Sequence, residues 1–204
     1  MESESAGAID MQKLSRSDLY SLEEYSTLRV EFRQQVMAHK KNRRVPLGDI
    51  AALYFEDRLT MHYQIQEMLR VERIFENEGI QEELDAYNPL IPDGSNLKAT
   101  FMIEVTDEDE RRIRLAEMKG IEDDVWLRVE GFDPVFAIAD EDMERENDVK
   151  TSSVHFMRFE LTAEMVAAAK QGAALGAGIS HAAYTKQLEP LPENIRASLV
   201  ADFS

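Results

Sequence analysis

Polar side chains that could carry out chemistry are dense between Tyr54 and Asn77, where the pattern predicts a short strand followed by a long helix. Successive residues of an α-helix advance by about 100°, so side chains three or four positions apart are neighbours. Counted in this way, one side of the predicted helix is polar. Its members are Tyr63, Gln66, Glu67, Arg70 and Arg73.

The cations on this polar side suit an anionic small molecule. The guanidinium groups of Arg70 and Arg73 match the oxygens of a carboxylate or phosphate group. Gln66 and Asp57 are the further residues that we expect to bind such a ligand, and Asp57 is also placed to cap the start of the helix. The sequence therefore predicts an anion-binding pocket on this helix.

The same helix supplies candidates for acid–base catalysis. Glu67 or Glu72 could transfer protons, and Tyr63 could donate a hydrogen bond to a substrate. His155 could assist from an adjacent strand. These residues could equally form a buried polar network that fixes the helix on a sheet. A closed, fully paired network would favour the packing role, whereas an open concavity beside Tyr63 and Glu67 would favour a catalytic site.

One carboxylate interrupts the apolar side of the helix. Glu72 falls near the middle of the apolar arc, and an unpaired buried charge is costly. We therefore expect Glu72 to pair with an arginine, Arg58 or Arg158, to act as a functional acid, or to reach solvent because the helix is rotated. The helix is predicted to end at Gly79. The apolar arc comprises Met61, Ile65, Met68, Leu69 and Phe75.

The sequence predicts no metal site and no cofactor. The chain contains no cysteine, which excludes disulfides and cysteine ligation of zinc or an iron–sulfur cluster. It also lacks a phosphate loop and a dinucleotide fingerprint, and its histidines are not spaced as pairs of ligands on one helix. The metal alternative is a cluster of Asp57, His62, Glu67 and Glu72, but Glu67 and Glu72 point to different sides of the helix.

Charge and hydropathy limit the partners of the protein. A net charge of −17 argues against a nucleic-acid or anionic-membrane surface. The basic run from His39 to Arg44 ends the first predicted helix, where cations complement the helix dipole. No apolar run approaches the ~20 residues of a membrane span, and residues 1–10 lack the features of a signal peptide. We expect a cytoplasmic protein and leave its oligomeric state open.

The pattern of elements predicts an α+β fold, with helices packed on one face of a mixed, mainly antiparallel sheet of about five to six strands. We expect a disordered segment over 1–12, a single domain over 13–182 and a tail over 183–204 that contains a short amphipathic helix. The predicted strands are 50–56, 97–105, a hairpin over 125–130 and 135–139, a central strand over 152–161, and an edge-like strand over 175–181.

Three stretches of the sequence together resemble a bacterial family, domain-of-unknown-function family 3501. They are the helix motif Tyr63-Gln64-Ile65-Gln66-Glu67-Met68 with Arg70, Glu72 and Arg73, the turns Asn88-Pro89 and Pro92-Asp93-Gly94, and the segment 151–159. The resemblance extends from about Leu14 to His181. It implies an association with rubrerythrin-like proteins and with iron–sulfur proteins related to heterodisulfide reductase. It supplies no catalytic residues to carry over.

Two functional hypotheses follow, and the sequence leaves both open. In the first, the chain is an accessory protein that docks on a rubrerythrin-like or iron–sulfur redox partner through its acidic surface and its terminal helix, and the partner carries the metal. In the second, the chain is a small-molecule enzyme or a ligand-binding protein that uses the pocket predicted on the central helix. The two hypotheses differ on whether the chain is an enzyme.

Overall fold

The computed structural model describes residues 13–139 and 150–204, and it confirms the α+β class. The segment predicted to be disordered, 1–12, lies outside the described residues. The helices are α1 (Leu22–Lys40), α2 (Arg58–Glu72), α3 (Asn77–Tyr87), α4 (Glu108–Glu117), α5 (Ala163–Lys170) and α6 (Glu193–Val200). The strands are β1 (Arg44–Pro46), β2 (Ala51–Glu56), β3 (Asn96–Ile103), β4 (Val125–Val129), β5 (Val135–Phe136), β6 (Ile138–Ala139), β7 (Val154–Glu160), β8 (Leu175–His181) and β9 (Tyr184–Leu188).

The strands form two antiparallel sheets, not one. The first has the order β1-β2-β3-β7-β6 and the second the order β5-β4-β8-β9. The chain changes sheets at Ala137, because β5 completes the predicted hairpin with β4 whereas β6 pairs with β7. Apolar side chains from both sheets belong to one hydrophobic core. The number of strands in the predicted sheet matches the first sheet, but the second sheet was not expected.

The strand β8 is an interior strand, and the prediction that it lies at an edge is wrong. β4 pairs with one side of β8 and β9 with the other. Gly178 lies at its centre, where an added Cβ atom would come within 2.3 Å of the Trp126 ring. β9 was not predicted from the sequence because its middle residues are polar and exposed. The strand therefore shows no alternation of apolar residues.

The central helix is shorter than predicted. α2 ends at Glu72, since Arg73 takes a left-handed conformation with φ of 57° and its N–H group bonds to the carbonyl of Leu69. Gly79 instead lies inside α3, where an added Cβ atom would meet the Ile74 side chain at 2.8 Å. The glycine therefore permits a close contact and does not end a helix.

The structure matches the alternative in which Glu72 reaches solvent. Glu72 is exposed, and Phe75, which lies beyond the helix, is 70% exposed. Phe75 does not continue the buried stripe because the helical periodicity stops at Arg73, whereas Glu72 is the last helical residue and faces solvent. The expected arginine partners bond elsewhere: Arg58 pairs with Asp18 and Arg158 with Glu160.

Residues 183–204 contribute both β9 and α6 to the fold. The amphipathic helix predicted near the C-terminus packs on the body of the protein, because its apolar side chains join the core shared by the two sheets. This docking brings the residues that follow α6 next to the start of α2. The docked apolar residues are Leu191, Ile195, Leu199 and Phe203.

We expect Leu199→Ala to lower the free energy of unfolding by about 2–5 kcal/mol, the usual range for truncation of a fully buried leucine. Val30→Ala, at a position on α1 that is 68% exposed, is the control and should change the free energy by less than about 0.5 kcal/mol. Urea unfolding measures both variants. An equally small effect at Leu199 would mean that α6 is not part of the cooperative core.

Candidate functional site

Two polar clusters lie on α2, one near its middle and one at its start. The Glu67 network comprises Tyr25, Arg29, Glu67 and Arg70. The Arg43 cluster comprises His39, Arg43, Asp57 and Asp202. The sequence pointed to parts of the first cluster, and to Asp57 alone in the second.

The Glu67 network is closed. The Tyr25 hydroxyl donates to Glu67 Oε1 at 2.7 Å, and Arg29 donates to both oxygens at 2.8 and 2.9 Å. Arg70 adds a bond of 3.2 Å to Oε2. The Arg29 bond is the largest cause that lowers the pKa of Glu67 to about 2, while burial raises the pKa of Tyr25 well above its usual value. A carboxylate held in this way joins α1 to α2, which favours the packing role.

The remaining helix candidates are dispersed. Gln66 is fully buried, and its side-chain oxygen accepts the backbone N–H of Tyr20 at 2.7 Å. The Tyr63 ring is half-buried and lies 6.1 Å from the Phe32 ring, centroid to centroid. Arg73 and Glu72 are exposed at the end of α2. The structure therefore brings Glu67 and Arg70 together, but it does not gather all the predicted side chains around one concavity.

His155 belongs to a separate buried network on β7. Its Nε2 atom lies 2.9 Å from the Thr151 hydroxyl and 3.0 Å from the Ser152 carbonyl. The Thr151 hydroxyl in turn donates to Glu122 at 2.9 Å. Four polar groups that satisfy one another in the interior are typical of a structural network. His155 thus does not assist the residues of α2.

The Arg43 cluster is built around a guanidinium group that is only 2% exposed. Arg43 follows α1 and donates from Nε to the Phe55 carbonyl at 3.0 Å and from Nη2 to the Glu56 carbonyl at 3.1 Å, both at the end of β2. Its Nη1 atom donates to the Ser198 carbonyl on α6 at 3.1 Å, and both oxygens of Asp202 accept from the same guanidinium. One arginine therefore connects α1, β2 and α6.

Asp57 joins this cluster to α2. One oxygen caps the helix by accepting the Thr60 backbone N–H at 2.9 Å. The other lies 2.5 Å from His39 Nε2 and 3.4 Å from Arg43 Nε. Burial opposes ionisation of Asp57, but the His39 bond, the charge of Arg43 and the Thr60 N–H together keep its pKa below the usual value. Asp57 is therefore ionised at neutral pH.

The pKa of Asp202 is displaced in the opposite direction from that of Asp57. Burial is the largest influence on this carboxyl group, and with the charge of Asp57 it outweighs the attraction of Arg43 and raises the pKa of Asp202 to about 6. Two carboxyl groups that share one arginine thus have pKa values displaced in opposite directions. Such a pair can hold and release a proton near neutral pH, which is a frequent property of acid–base sites.

A cavity of about 530 Å³ opens beside the cluster. It lies between the end of α1, the start of α2 and α6. Burial lowers the pKa of His62 in its wall, so this imidazole is neutral at pH 7. The lining residues are His39, Arg43, Asp57, Arg58, Leu59, His62, Ser198, Ala201 and Asp202.

His62 also carries an unsatisfied atom. Among residues 13–139 and 150–204, its Nε2 is the buried side-chain nitrogen or oxygen that lacks a hydrogen-bond partner. Its ring stacks on Tyr20 with the centroids 5.4 Å apart. Buried polar atoms without a partner are rare and often mark a functional region.

Sequence reasoning missed most of this second site. The basic run that contains His39 and Arg43 was assigned to the helix dipole, and Ser198 and Asp202 lie in the predicted tail. Arg43 and Asp202 are separated by 159 positions, so no local spacing could have connected them. The one available indication was Asp57, whose role as helix cap was predicted and is observed.

The positions of the possible metal ligands do not support the metal alternative. Within the described ranges, no group of three or more His, Asp or Glu side chains is arranged to hold a metal ion. Asp57 and His62 line the same cavity, but Glu67 bonds to Arg29 and Glu72 is exposed, so the four residues of the metal alternative are not assembled.

No helix among the described residues is both long and apolar enough to cross a membrane.

The Glu67 network predicts a pH-dependent stability. The pKa of Glu67 falls from 4.5 to about 2 in the folded state, so its contribution is complete above pH 4.5 and is lost as the pH falls through that interval. Glu67→Gln should therefore be less stable than the wild type at neutral pH, and the gap should narrow below pH 4.5. Urea unfolding across this range measures the gap, with Glu31→Gln at an exposed position on α1 as control. A gap independent of pH would contradict this account.

Comparisons with other proteins agree with the resemblance drawn from the sequence. The family described as "Protein of unknown function (DUF3501)" matches residues 13–203, so it extends beyond His181, where the resemblance was expected to end, to include α6. A crystal structure of a novel protein of unknown function from Burkholderia pseudomallei K96243 is 50% identical and covers 95% of this chain and 100% of its own, with a TM-score of 0.90. The chain has no match among curated proteins. Because the family match spans nearly all of the described fold, the chain belongs to the DUF3501 family.

Proposed function

We propose that the protein binds a small organic molecule in the cavity at the start of α2, and that the His39–Asp57 pair supplies an acid–base group there. The observation that carries this proposal is the convergence of two imidazoles, two carboxyl groups and a buried arginine on one cavity of about 530 Å³. This volume falls within the usual range for ligand pockets, about 300–1,000 Å³.

The geometry of His39 suits proton transfer. Its bond to Asp57 uses Nε2, so Nδ1 is the nitrogen left for a ligand. A carboxylate that holds one imidazole nitrogen fixes the orientation of the ring and stabilises its protonated form. His39 can then accept a proton from a bound molecule, and Asp57 stabilises the charge that develops on the ring.

Asp202 can supply a proton in the same cavity. Its pKa of about 6 means that the carboxyl group is protonated below that pH and ionised above it. A ligand that must receive a proton from Asp202 would bind or react less well as the pH rises through 6. The proposed chemistry therefore combines a base, His39, with an acid, Asp202, on either side of Arg43.

The proposed pocket differs from the pocket expected from the sequence in its position on α2 and in most of its residues. It lies at the beginning of the same helix, and it retains Asp57 as a binding residue. Arg70 bonds to Glu67, and Arg73 is exposed at the far end of α2, so neither is included in the proposal. The cavity depends on α6, which comes from the last part of the chain.

A cavity-filling substitution tests the proposal. Ala201 lines the cavity at its exposed rim just after α6, so we expect Ala201→Trp to fill part of the cavity with an indole; Ala197→Trp places the same group one turn earlier, at an exposed position that does not line the cavity. We expect a fragment screen by ligand-observed NMR to find molecules that bind the wild type and Ala197→Trp but bind Ala201→Trp at least about tenfold more weakly, since steric filling removes the contacts.

The same screen can contradict the proposal that the cavity binds a ligand. If the three proteins bind the same fragments with equal affinity, the cavity is not a binding site. Circular dichroism and urea unfolding of both tryptophan variants show whether either loss arises from unfolding.

A second candidate function is that of an accessory protein for a rubrerythrin-like or iron–sulfur redox partner. The net charge of −17 favours it, and so does the large exposed apolar side chain of Phe75 beyond α2, because exposed aromatic groups are frequent in interfaces. The redox partner itself is implied only by the family resemblance.

Affinity purification from the native host tests the accessory role. We expect a partner that contains iron to be recovered with the wild type in stoichiometric amount and to be lost with Phe75→Glu. Val30→Glu, at an exposed site on α1, is the control and should retain the partner. Recovery of the chain alone at micromolar concentration would exclude this function.

A further inference from the structure

We infer that the ligand of the proposed pocket is an uncharged ring compound that carries a hydroxyl group. This inference rests on the proposed function and specifies the class of molecule that the cavity would take. Three features of the cavity lead to it: the pairing of its charges, the nature of its walls and the hydrogen-bonding atoms that remain for a ligand.

The charged groups around the cavity are already paired within the protein. Arg43 bonds to Asp202 and its Nε atom lies 3.4 Å from Asp57, which also accepts from neutral His39, and Arg58 bonds to Asp18 at 2.7 Å. A charged ligand would have to lose its hydration and then displace one of these partners, which leaves a buried charge unpaired. An uncharged ligand enters without breaking a pair.

The walls of the cavity favour a ring. Leu59 and Ala201 contribute apolar surface, and His39 and His62 contribute flat imidazole rings. An apolar cavity of about 150 Å³ is sufficient to bind benzene. The cavity of about 530 Å³ therefore has room for a substituted ring.

Two atoms are placed to bond with a hydroxyl group. Nδ1 of neutral His39 is an acceptor, because the proton of that ring lies on Nε2 when it donates to Asp57. The Ser198 oxygen accepts from Arg43 at 3.3 Å, so the hydroxyl proton of Ser198 can be donated to a ligand. A hydroxyl on the ligand can donate to the first and accept from the second.

Three probes of similar size and different charge test the inference: phenol, benzoate and benzylamine. We expect phenol to produce saturable changes in the ring resonances of His39 and to bind at least about tenfold more tightly than either charged probe, since these must break a protein ion pair. The signals of His181, which bonds to the Lys119 carbonyl away from the cavity, should not move. Ala201→Trp should abolish the changes and Ala197→Trp should retain them.

The outcomes separate the ligand class from the pocket. If benzoate or benzylamine binds the wild type as tightly as phenol and Ala201→Trp blocks it, the inference of an uncharged ligand is wrong while the pocket stands. If no probe gives a saturable change at His39, or if Ala201→Trp binds phenol as the wild type does, the proposed function fails together with the inference.

Discussion

The burial of the Arg43 guanidinium is the constraint on which the rest of this structure depends. An arginine remains protonated in proteins, so a position that is 2% exposed must supply acceptors for its N–H groups. Here the acceptors come from the end of β2, from α6 and from Asp202. Removing one partner of such a buried pair costs roughly 3–5 kcal/mol, because the remaining charge cannot reach water. The arginine therefore holds distant segments in one arrangement.

The same constraint produces the candidate site. Asp57 and Asp202 both approach Arg43, but Asp57 also receives the His39 bond and the N–H of Thr60, whereas Asp202 is mainly subject to burial. One carboxyl group is therefore held ionised and the other retains its proton up to about pH 6. Because Asp57 also caps α2, the fold of the helix and the chemistry of the cavity depend on one residue.

Local patterns predicted the elements of the fold well where a single residue or a short period determines them. The alternation in 97–105 predicted β3, and Asp57 was expected to begin the central helix. The errors have specific physical causes. Gly79 has the composition of a helix end but instead permits a close contact with Ile74 inside α3, and β9 has polar side chains at its centre. Two sheets arise because the chain crosses at Ala137, which no periodicity marks.

The candidate site was less predictable than the fold. Glu67 and Arg70 are close together as expected, but Glu67 also bonds to Tyr25 and Arg29 of α1, so it joins two helices. The Arg43 cluster combines residues from the start, the middle and the end of the fold, and it exists only because α6 docks on the core. Spacing in the sequence cannot reveal such a cluster, since its members share no secondary-structure element.

The acid–base site at the start of α2 requires that the proton of neutral His39 lie on Nε2. NMR of protein labelled with ¹⁵N at histidine identifies which ring nitrogen carries the proton in the neutral form. We predict the Nε2–H tautomer for His39, with that proton shifted downfield and slow to exchange because it is shared with Asp57. In Asp57→Asn the downfield signal should disappear. An Nδ1–H tautomer, or an Nε2 proton unaffected by Asp57→Asn, would contradict the acid–base site at the start of α2.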